Sequence, residues 1–387
     1  MPEGMTNDLL IIAFFVALVS SWVASRVVHW PRGILLAVIR VSVPLAYFAW
    51  FSNGTWMHQD DYGYMEQGLI ALSAHHHPLL MPFDGGYDVL VSESGGFHIL
   101  YGWWNMLSFW LFSDHYYAPV FMNVGLTFVG GYFLSKILAL SGFTEAYRRW
   151  FYMFYLIHWD IITWSSFTNL KEVLVQTLTL LSLWLFLYLI KQQGLKKILL
   201  IIIWIASLTV FFWLRFYVPL FILLAVGIWM LYERYLIMLI FVLPVAALGL
   251  IILYPFISDY IQYLDFTFLI YGPVRTFLTP QPWNIQEEYG YLAIASIIHW
   301  VLAIPTLIGA FVLWKRYPSL RLLLIYSVTI LALYSFFPAQ QGPRHRVQVS
   351  PILALAQFFF LTTLWAPKLL RFAHRPYTRV SRSEPQI

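Results

Sequence analysis

Long apolar stretches, separated by short polar connections, alternate along most of this chain. A helix needs about 20 predominantly apolar residues to cross a bilayer, and the hydropathy pattern predicts about eleven such spans. We therefore expect an all-α fold, a polytopic membrane helical bundle that forms a single transmembrane domain over 1–387. The predicted spans cover approximately 9–27, 33–52, 116–139, 149–167, 171–190, 197–214, 216–232, 235–256, 291–314, 321–338 and 349–366.

Two longer polar segments interrupt this alternation, and both fall on the same face of the predicted bundle. The first covers 53–115 and the second covers 257–290. Within the first, the apolar spacing over 68–74 and over 97–112 is typical of short helices that lie on a membrane surface. We expect 53–115 to be a large outer loop with interfacial helices, and 257–290 to be a second outer loop.

The distribution of Lys and Arg sets the predicted orientation, because short cytoplasmic connections are enriched in these residues. With eleven alternating spans, every basic cluster falls on one face, whereas 53–115 has seven acidic residues and no Lys or Arg. The amino terminus is then expected outside, and a basic tail over 367–387 in the cytoplasm. These features favour a plasma (inner) membrane protein with its active site on the outer face. The clusters before the tail contain Arg26, Arg32, Arg148, Arg149, Lys191, Lys196, Lys197, Arg234, Lys315, Arg316 and Arg321.

The composition agrees with a bilayer-embedded chain. Sixty per cent of the residues are hydrophobic and 11% are charged, whereas about 25% are charged in soluble domains. The chain has no cysteine, which excludes disulfides, thiolate metal sites and a cysteine nucleophile. Its net charge of +5 is spread over the connections rather than gathered in one patch, so we expect no nucleic-acid partner. The first apolar stretch follows an acidic start without a basic leader, which predicts a retained helix.

Asp60 and Asp61 stand near the start of the large outer loop. Two neighbouring carboxylates at a membrane surface could act as a general base or bind a divalent metal ion. Repulsion between them can raise one pKa towards the range that is useful for taking a proton from a hydroxyl. A solvated loop is the alternative interpretation, because Asp-Asp pairs are common.

Five basic residues depart from the orientation rule and fall on the predicted outer face. Charged groups near a membrane core are costly, and by default they mark a functional site or a partner. Arginine matches phosphate oxygens with a bidentate fork, so we expect these residues to hold a phosphate. For Arg215, snorkelling to the lipid headgroups is the alternative. The five residues are Lys171, Arg215, Arg275, Arg344 and Arg346.

Four residues beside these groups are candidates for contacts to an acceptor or a sugar. Glu172 also stands in the first turn of a predicted helix, where stabilising the helix dipole is the alternative role. Carboxylates on an early loop and cations on later loops suit one kind of reaction in particular. In it a base activates an acceptor hydroxyl while cations hold a phosphate leaving group. The four candidates are His98, Glu172, Tyr217 and His345.

This arrangement resembles the GT-C superfamily of polytopic glycosyltransferases, and in particular its family 39-like transferases. The resemblance extends in architecture from about residue 33 to 366. It implies a polyprenyl-phosphate-linked sugar as donor, a glycan or lipid as acceptor, and no further certain cofactor. It also implies that Asp60 or Asp61 is the general base or a metal ligand, and that basic residues hold the donor phosphate. The resemblance rests on Asp60-Asp61, Lys171-Glu172, Arg215 and Arg344-His345-Arg346.

A polysaccharide polymerase or ligase and a multi-pass transporter are the alternative functions. Polymerases and ligases typically rely on an arginine-rich large outer loop, whereas 53–115 contains no arginine. Transporters tend to show inverted repeats and interrupted helices, and no internal repeat is visible in this sequence. No large soluble domain follows the last predicted helix, which favours a compact transferase that modifies polysaccharides or lipids.

Overall fold

A computed structural model describes residues 3–52, 58–235, 270–337 and 342–365, together with short stretches between 242 and 268. These residues are predominantly helical and contain no β-strand, which confirms the predicted all-α class. The α-helices are α1 (Glu3–Ser25), α2 (Trp30–Ala46), α3 (Gln59–Ser73), α4 (Gly86–Ser94), α5 (Ile99–Leu111), α6 (Tyr117–Leu140), α7 (Glu145–Leu156), α8 (Trp159–Ser166), α9 (Glu172–Leu189), α10 (Gly194–Thr209), α11 (Val218–Tyr232), α12 (Tyr271–Leu278), α13 (Ala293–Val301), α14 (Ala303–Arg316), α15 (Pro318–Ser335), α16 (Pro343–Arg346) and α17 (Ser350–Phe359).

Seven helices in the described residues are long and apolar enough to cross a membrane, and the bent pair α13–α14 would make eight. These helices correspond to predicted spans, and short π- or 3-10-helical turns extend several of them. The count of eleven spans stays a prediction. The predicted spans 149–167 and 216–232 do not form single long helices, and 235–256 is only partly described. The seven are Asn7–Ser25, Trp30–Phe51, Tyr117–Leu140, Glu172–Leu189, Gly194–Trp213, Pro318–Ser335 and Pro343–Trp365.

The largest departure lies in the predicted span 149–167. The chain there forms two short helices, α7 and α8, with a break at Ile157 and His158. The predicted span 216–232 is the 15-residue helix α11, and 291–314 corresponds to helices that bend by 58°. Most of 235–256 and the predicted tail 367–387 lie outside the described residues.

Burial separates central helices from peripheral ones. In α9, 78% of the residues are buried, whereas only 22% are buried in the most apolar window of Gly194–Trp213. Outward side chains on peripheral helices are large and apolar, such as Phe14, which is 73% exposed. A helix that is apolar on all sides suits lipid on its outer face and protein on its inner face. The bundle therefore has a protein-facing core around α9 and α17.

Small residues let some helices approach through their backbones. A Cβ atom added to Gly309 in α14 would lie 2.1 Å from the carbonyl oxygen of Ala356 in α17. Close backbone approach at glycine is a common way for membrane helices to pack, since lipid supplies no hydrophobic drive between them. The contact between α14 and α17 therefore depends on this glycine.

Connections that the sequence assigns to the cytoplasmic face meet one another at one end of the bundle. Arg149 lies 3.0 Å from His29, and Arg321 donates to Glu233 over 2.6 Å. The other end carries α3, α4 and α5, which form most of the described part of 53–115. Helices α3 and α5 cover the two segments predicted as short helices, while their position at a membrane surface stays a prediction.

Candidate functional site

A cavity of about 560 Å³ lies where the ends of α9, α11 and α15 meet α3 and α16. One part of its wall is charged or polar and the other part is apolar, so the cavity is amphipathic. Seven of the eleven predicted site residues line it: Asp60, His98, Lys171, Arg215, Tyr217, Arg344 and His345. The apolar part is lined by Phe97, Phe216, Leu220, Phe221, Leu264, Leu333, Phe336 and Phe337.

Glu172 does not line the cavity but holds two arginines of its charged wall from behind. It is the first residue of α9 and its side chain is fully buried. Its Oε1 accepts hydrogen bonds from Nε of Arg344, at 2.8 Å, and from Nη2 of Arg215. A carboxylate at a helix amino terminus is also favoured by the helix dipole. Glu172 therefore holds two arginines in place, in addition to its favourable position at the helix start.

Arg344 joins Glu172 to Asp60. Its Nη2 lies 2.6 Å from Oδ2 of Asp60, which is 48% exposed. Partial burial alone would raise the pKa of Asp60, but the charge and hydrogen bond of Arg344 outweigh this effect and lower it. Asp60 is therefore an ionised carboxylate on the cavity wall at neutral pH.

Lys171 is buried and has no carboxylate partner among the described residues, and burial together with the nearby charge of Arg215 lowers its pKa well below the usual value. It is 2% exposed, its Nζ donates to the hydroxyl of Tyr64, and the ring centroid of Tyr64 lies 4.7 Å away. Burial of an ammonium group is costly unless an anion compensates its charge. Because Lys171 also lines the cavity, its position favours an anionic ligand there.

Arg215 is oriented by hydroxyl groups as well as by Glu172. Its Nη1 donates to Tyr217 over 2.8 Å and to Tyr334 over 3.1 Å. Gln348 donates in turn to Tyr334 over 2.7 Å. Burial would lower the pKa of Arg215, but nearby Tyr217 and Glu172 raise it overall, so the guanidinium stays charged.

Asp61 has a different environment from its neighbour, although the sequence predicts the two as a pair. Because α3 begins at Gln59, successive side chains point about 100° apart. Asp61 is fully buried outside the cavity wall, and its Oδ2 accepts a 2.7 Å hydrogen bond from Tyr116. Burial raises the pKa of Asp61 to about 7. Of the two carboxylates, only Asp60 lines the cavity.

The residues as placed do not fit the divalent metal ion that the sequence left open. Asp60 is paired with Arg344, whereas Asp61 turns towards Tyr116. Within the described ranges, no group of three or more His, Asp or Glu side chains could hold a metal ion.

His98 lines the cavity with its ring in a fixed tautomer. Its Nδ1 lies 2.7 Å from the carbonyl oxygen of Leu214, which can only accept, so Nδ1 carries the hydrogen and Nε2 is an acceptor. The residue adopts a left-handed conformation with φ of 61°, which is uncommon outside glycine. Burial and the nearby charge of Lys171 lower the pKa of His98 to about 3, so the ring is neutral.

Two predicted phosphate ligands do not line this cavity. Arg346 is buried, and its Nη2 donates to Oδ1 of Asp160 over 2.9 Å. It lies two residues after Arg344 on α16, and helix positions i and i+2 do not face the same side. Arg275 is exposed in the last turn of α12. The structure therefore brings Lys171, Arg215 and Arg344 together, and leaves Arg275 and Arg346 outside.

Sequence reasoning missed several polar residues that organise the site. Tyr64 and Tyr334 were hidden among many aromatic residues, and aromatic residues are expected at membrane interfaces anyway. Asp160 stands inside a predicted span, and a charged group inside a span is the signal that could have found it. Gln348 stands one residue before the predicted span 349–366, where a polar residue carries no such signal. Asp160 in particular was the one acidic residue within 149–167.

Neither a protein-family model, nor a curated protein, nor a solved structure matches this chain. The resemblance to polytopic glycosyltransferases therefore stays a prediction from the sequence.

Proposed function

We propose that this chain is a membrane glycosyltransferase with a polyprenyl-phosphate-linked sugar as donor. The sugar would pass to a glycan or lipid acceptor on the outer face of the membrane. The observation that carries this proposal is Lys171, a buried lysine without a carboxylate partner among the described residues, on the wall of an amphipathic cavity. A phosphate supplies the missing anion, and a lipid chain suits the apolar wall.

The balance of charge favours a singly charged phosphate. Burial and the nearby charge of Arg215 lower the pKa of Lys171, and a bound anion would restore its charge. In that protonated state Lys171, Arg215 and Arg344 carry three positive charges, against two negative charges on Asp60 and Glu172. One positive charge is left in excess at the cavity wall. A phosphodiester that links a sugar to a lipid carries one negative charge, so its binding would neutralise the site. Arginine and lysine together would hold both its oxygens and its charge.

The proposed reaction uses this charge balance directly. An acceptor hydroxyl attacks the anomeric carbon of the sugar, and the bond between that carbon and the phosphate oxygen breaks. The phosphate leaves with the electron pair of the broken bond and is held by Lys171, Arg215 and Arg344, since cations stabilise a developing negative charge. The proton of the hydroxyl passes to Asp60, which is ionised and lines the cavity, although Arg344 makes it a weaker base by lowering its pKa.

The first test measures lipid phosphate binding by tryptophan fluorescence, with purified protein in dodecyl maltoside and dodecyl phosphate as probe. Lys171→Met should weaken binding by roughly 10- to 100-fold, because hydrogen bonds to charged groups contribute about 1.5–3 kcal/mol. Lys191→Met is the matched control. Lys191 donates to the carbonyl of Leu140 at the opposite end of the bundle, so its loss should leave the affinity unchanged. Equal affinity in wild type and Lys171→Met would contradict the phosphate site.

A second readout on the same proteins separates transfer from transport. Proteoliposomes containing a radiolabelled extract of lipid-linked sugars should yield a labelled glycan or glycolipid with wild type. Asp60→Asn should form no product yet still bind dodecyl phosphate, because Lys171, Arg215 and Arg344 are retained. Movement of label across the bilayer with the sugar–phosphate bond intact would instead indicate a transporter.

A further inference from the structure

The short helix α8 is attached to three other elements by buried polar contacts. Oδ1 of Asp160 accepts from Arg346 at 2.9 Å, and Ser165 accepts from Arg40 of α2 at 2.6 Å. His158, just before α8, lies 2.8 Å from the amide oxygen of Gln357 in α17. These contacts hold α8 against α2, α16 and α17 together.

The two residues of the ion pair between Asp160 and Arg346 are each close in sequence to a basic residue that lines the cavity. The chain continues from α8 into Lys171 and Glu172 at the start of α9, whereas Arg346 follows Arg344 by two residues. The ion pair between Asp160 and Arg346 therefore joins the segment that carries Lys171 to the segment that carries Arg344. It does so behind the cavity, without lining the wall.

The α16 segment is held from other sides as well. Gln176 of α9 donates to the carbonyl oxygen of Val347 over 2.7 Å, and Gln348 donates to Tyr334 over 2.7 Å. Each of these contacts ties the segment to a helix whose end lies at the cavity. Only the contact with Asp160 ties it to α8 through a charge, in the part of the chain that the structure describes.

The pair between Asp160 and Arg346 is poorly suited to stabilising the fold. Both side chains are at most 1% exposed. Nε and Nη1 of Arg346 and Oδ2 of Asp160 have no hydrogen-bond partner among the described residues. Replacing such an incompletely satisfied buried pair by apolar side chains is often neutral or stabilising. What the pair does fix is the position of one chain segment relative to another.

We propose that Asp160 and Arg346 form a positioning pair for the phosphate site. They set the distance between Arg344 and the Lys171–Glu172 segment, and so control the affinity for phosphate without touching it. This inference rests on the proposed function, and it gives Arg346 a role different from the phosphate ligand that the sequence predicts.

The test compares affinity with stability in the double variant Asp160→Leu/Arg346→Met. No unpaired charge is left behind, so the thermal unfolding midpoint should stay close to that of wild type. The dissociation constant for dodecyl phosphate should rise about ten-fold, because residues that act through others typically shift binding by factors of this order. The matched control is Glu233→Leu/Arg321→Met, which removes an ion pair at the opposite end and should leave the affinity unchanged.

A second variant keeps the test informative if the double variant does not fold. Asp160→Glu retains both charges but lengthens the carboxylate by one methylene, and should weaken dodecyl phosphate binding measurably while the protein stays folded. Wild-type affinity in either folded variant would overturn the positioning role. If wild type itself does not bind dodecyl phosphate, the proposed function fails instead. Weak binding by Lys171→Met beside normal binding by the folded double variant would reject the positioning pair alone.

Discussion

Two helices of this molecule begin with a glutamate that contacts an arginine, and their surroundings differ completely. Glu145 opens α7 and pairs with Arg149 one turn later, with 63% of its side chain exposed. Glu172 opens α9 and receives hydrogen bonds from Arg215 and Arg344 with no exposure at all. Water can replace the partner of an exposed charge, but it cannot reach a buried one.

This difference helps to distinguish basic residues that follow the orientation rule for membrane helices from basic residues that favour a functional site. At the α7 end, each carboxylate meets one arginine and solvent shares the charge. At the α9 end, one carboxylate serves two arginines and Lys171 has a phenol in place of a carboxylate. The lack of a carboxylate for the buried Lys171 is therefore what favours a ligand site at this end, whereas the number of basic residues in a connection does not.

The largest effect expected from this comparison is on stability. Glu172→Gln keeps the shape of the side chain but leaves the buried guanidinium of Arg215 and the partly buried one of Arg344 without their shared carboxylate. Removing one partner of a buried ion pair typically costs about 3–5 kcal/mol. Chemical unfolding followed by tryptophan fluorescence would measure this loss. An unfolding free energy equal to that of wild type would show that water reaches the cluster.

The next effect concerns pH and Asp61. Burial raises the pKa of Asp61 to about 7 in the folded protein, compared with about 3.9 in an unfolded chain. The folded state then binds more protons between about pH 4 and pH 7. The contribution of this group to stability is complete below that window and is lost as the pH rises through 7.

Over the whole window the change is on the order of 4 kcal/mol, since one pKa unit corresponds to about 1.4 kcal/mol. Asp61→Asn retains an acceptor for Tyr116 and has no charge to titrate. The difference in unfolding free energy between wild type and this variant should therefore change between pH 5 and pH 8, in the direction that favours wild type at pH 5. A difference that stays constant over this range would place Asp61 in contact with solvent.

The smallest effect on the free energy of unfolding is expected for a substitution of Glu145. Glu145→Gln makes the same chemical change as Glu172→Gln at an exposed helix start, where ion pairs spaced by four residues contribute about 0.3–0.5 kcal/mol. The unfolding free energy should fall by no more than about 1 kcal/mol when the helix dipole is included. Losses of equal size at the two glutamates would remove the distinction between the two ends.

Much of the architecture was predictable, because apolar length and lysine–arginine bias reflect the bilayer itself. Lys171, Arg215 and Arg344 were recognisable because they depart from the predicted orientation, and the structure brings them to one end of the bundle. Neighbour relations were not predictable in the same way. The divergence of Asp60 and Asp61 depends on α3 starting at Gln59, a boundary that apolar patterns do not fix.

The break between α7 and α8 was invisible for a related reason. Neither glycine nor proline marks Ile157 and His158, and the interruption is accompanied by a contact from His158 to Gln357, distant in sequence. The partner of Arg346, Asp160, was also not predictable because the two residues are far apart in sequence. A basic motif reads as one patch along the chain, but Arg344 and Arg346 contact different carboxylates in the fold.

The glycine at position 309 has a consequence for how mutational scans of this protein would be interpreted. Any side chain there would collide with the backbone of α17 at Ala356, and α17 continues from the segment that carries Arg344. A scan scored by growth or product yield would rank this chemically inert residue beside the charged ones. Sensitivity to substitution would thus identify residues that pack the helices together as well as residues that take part in the chemistry.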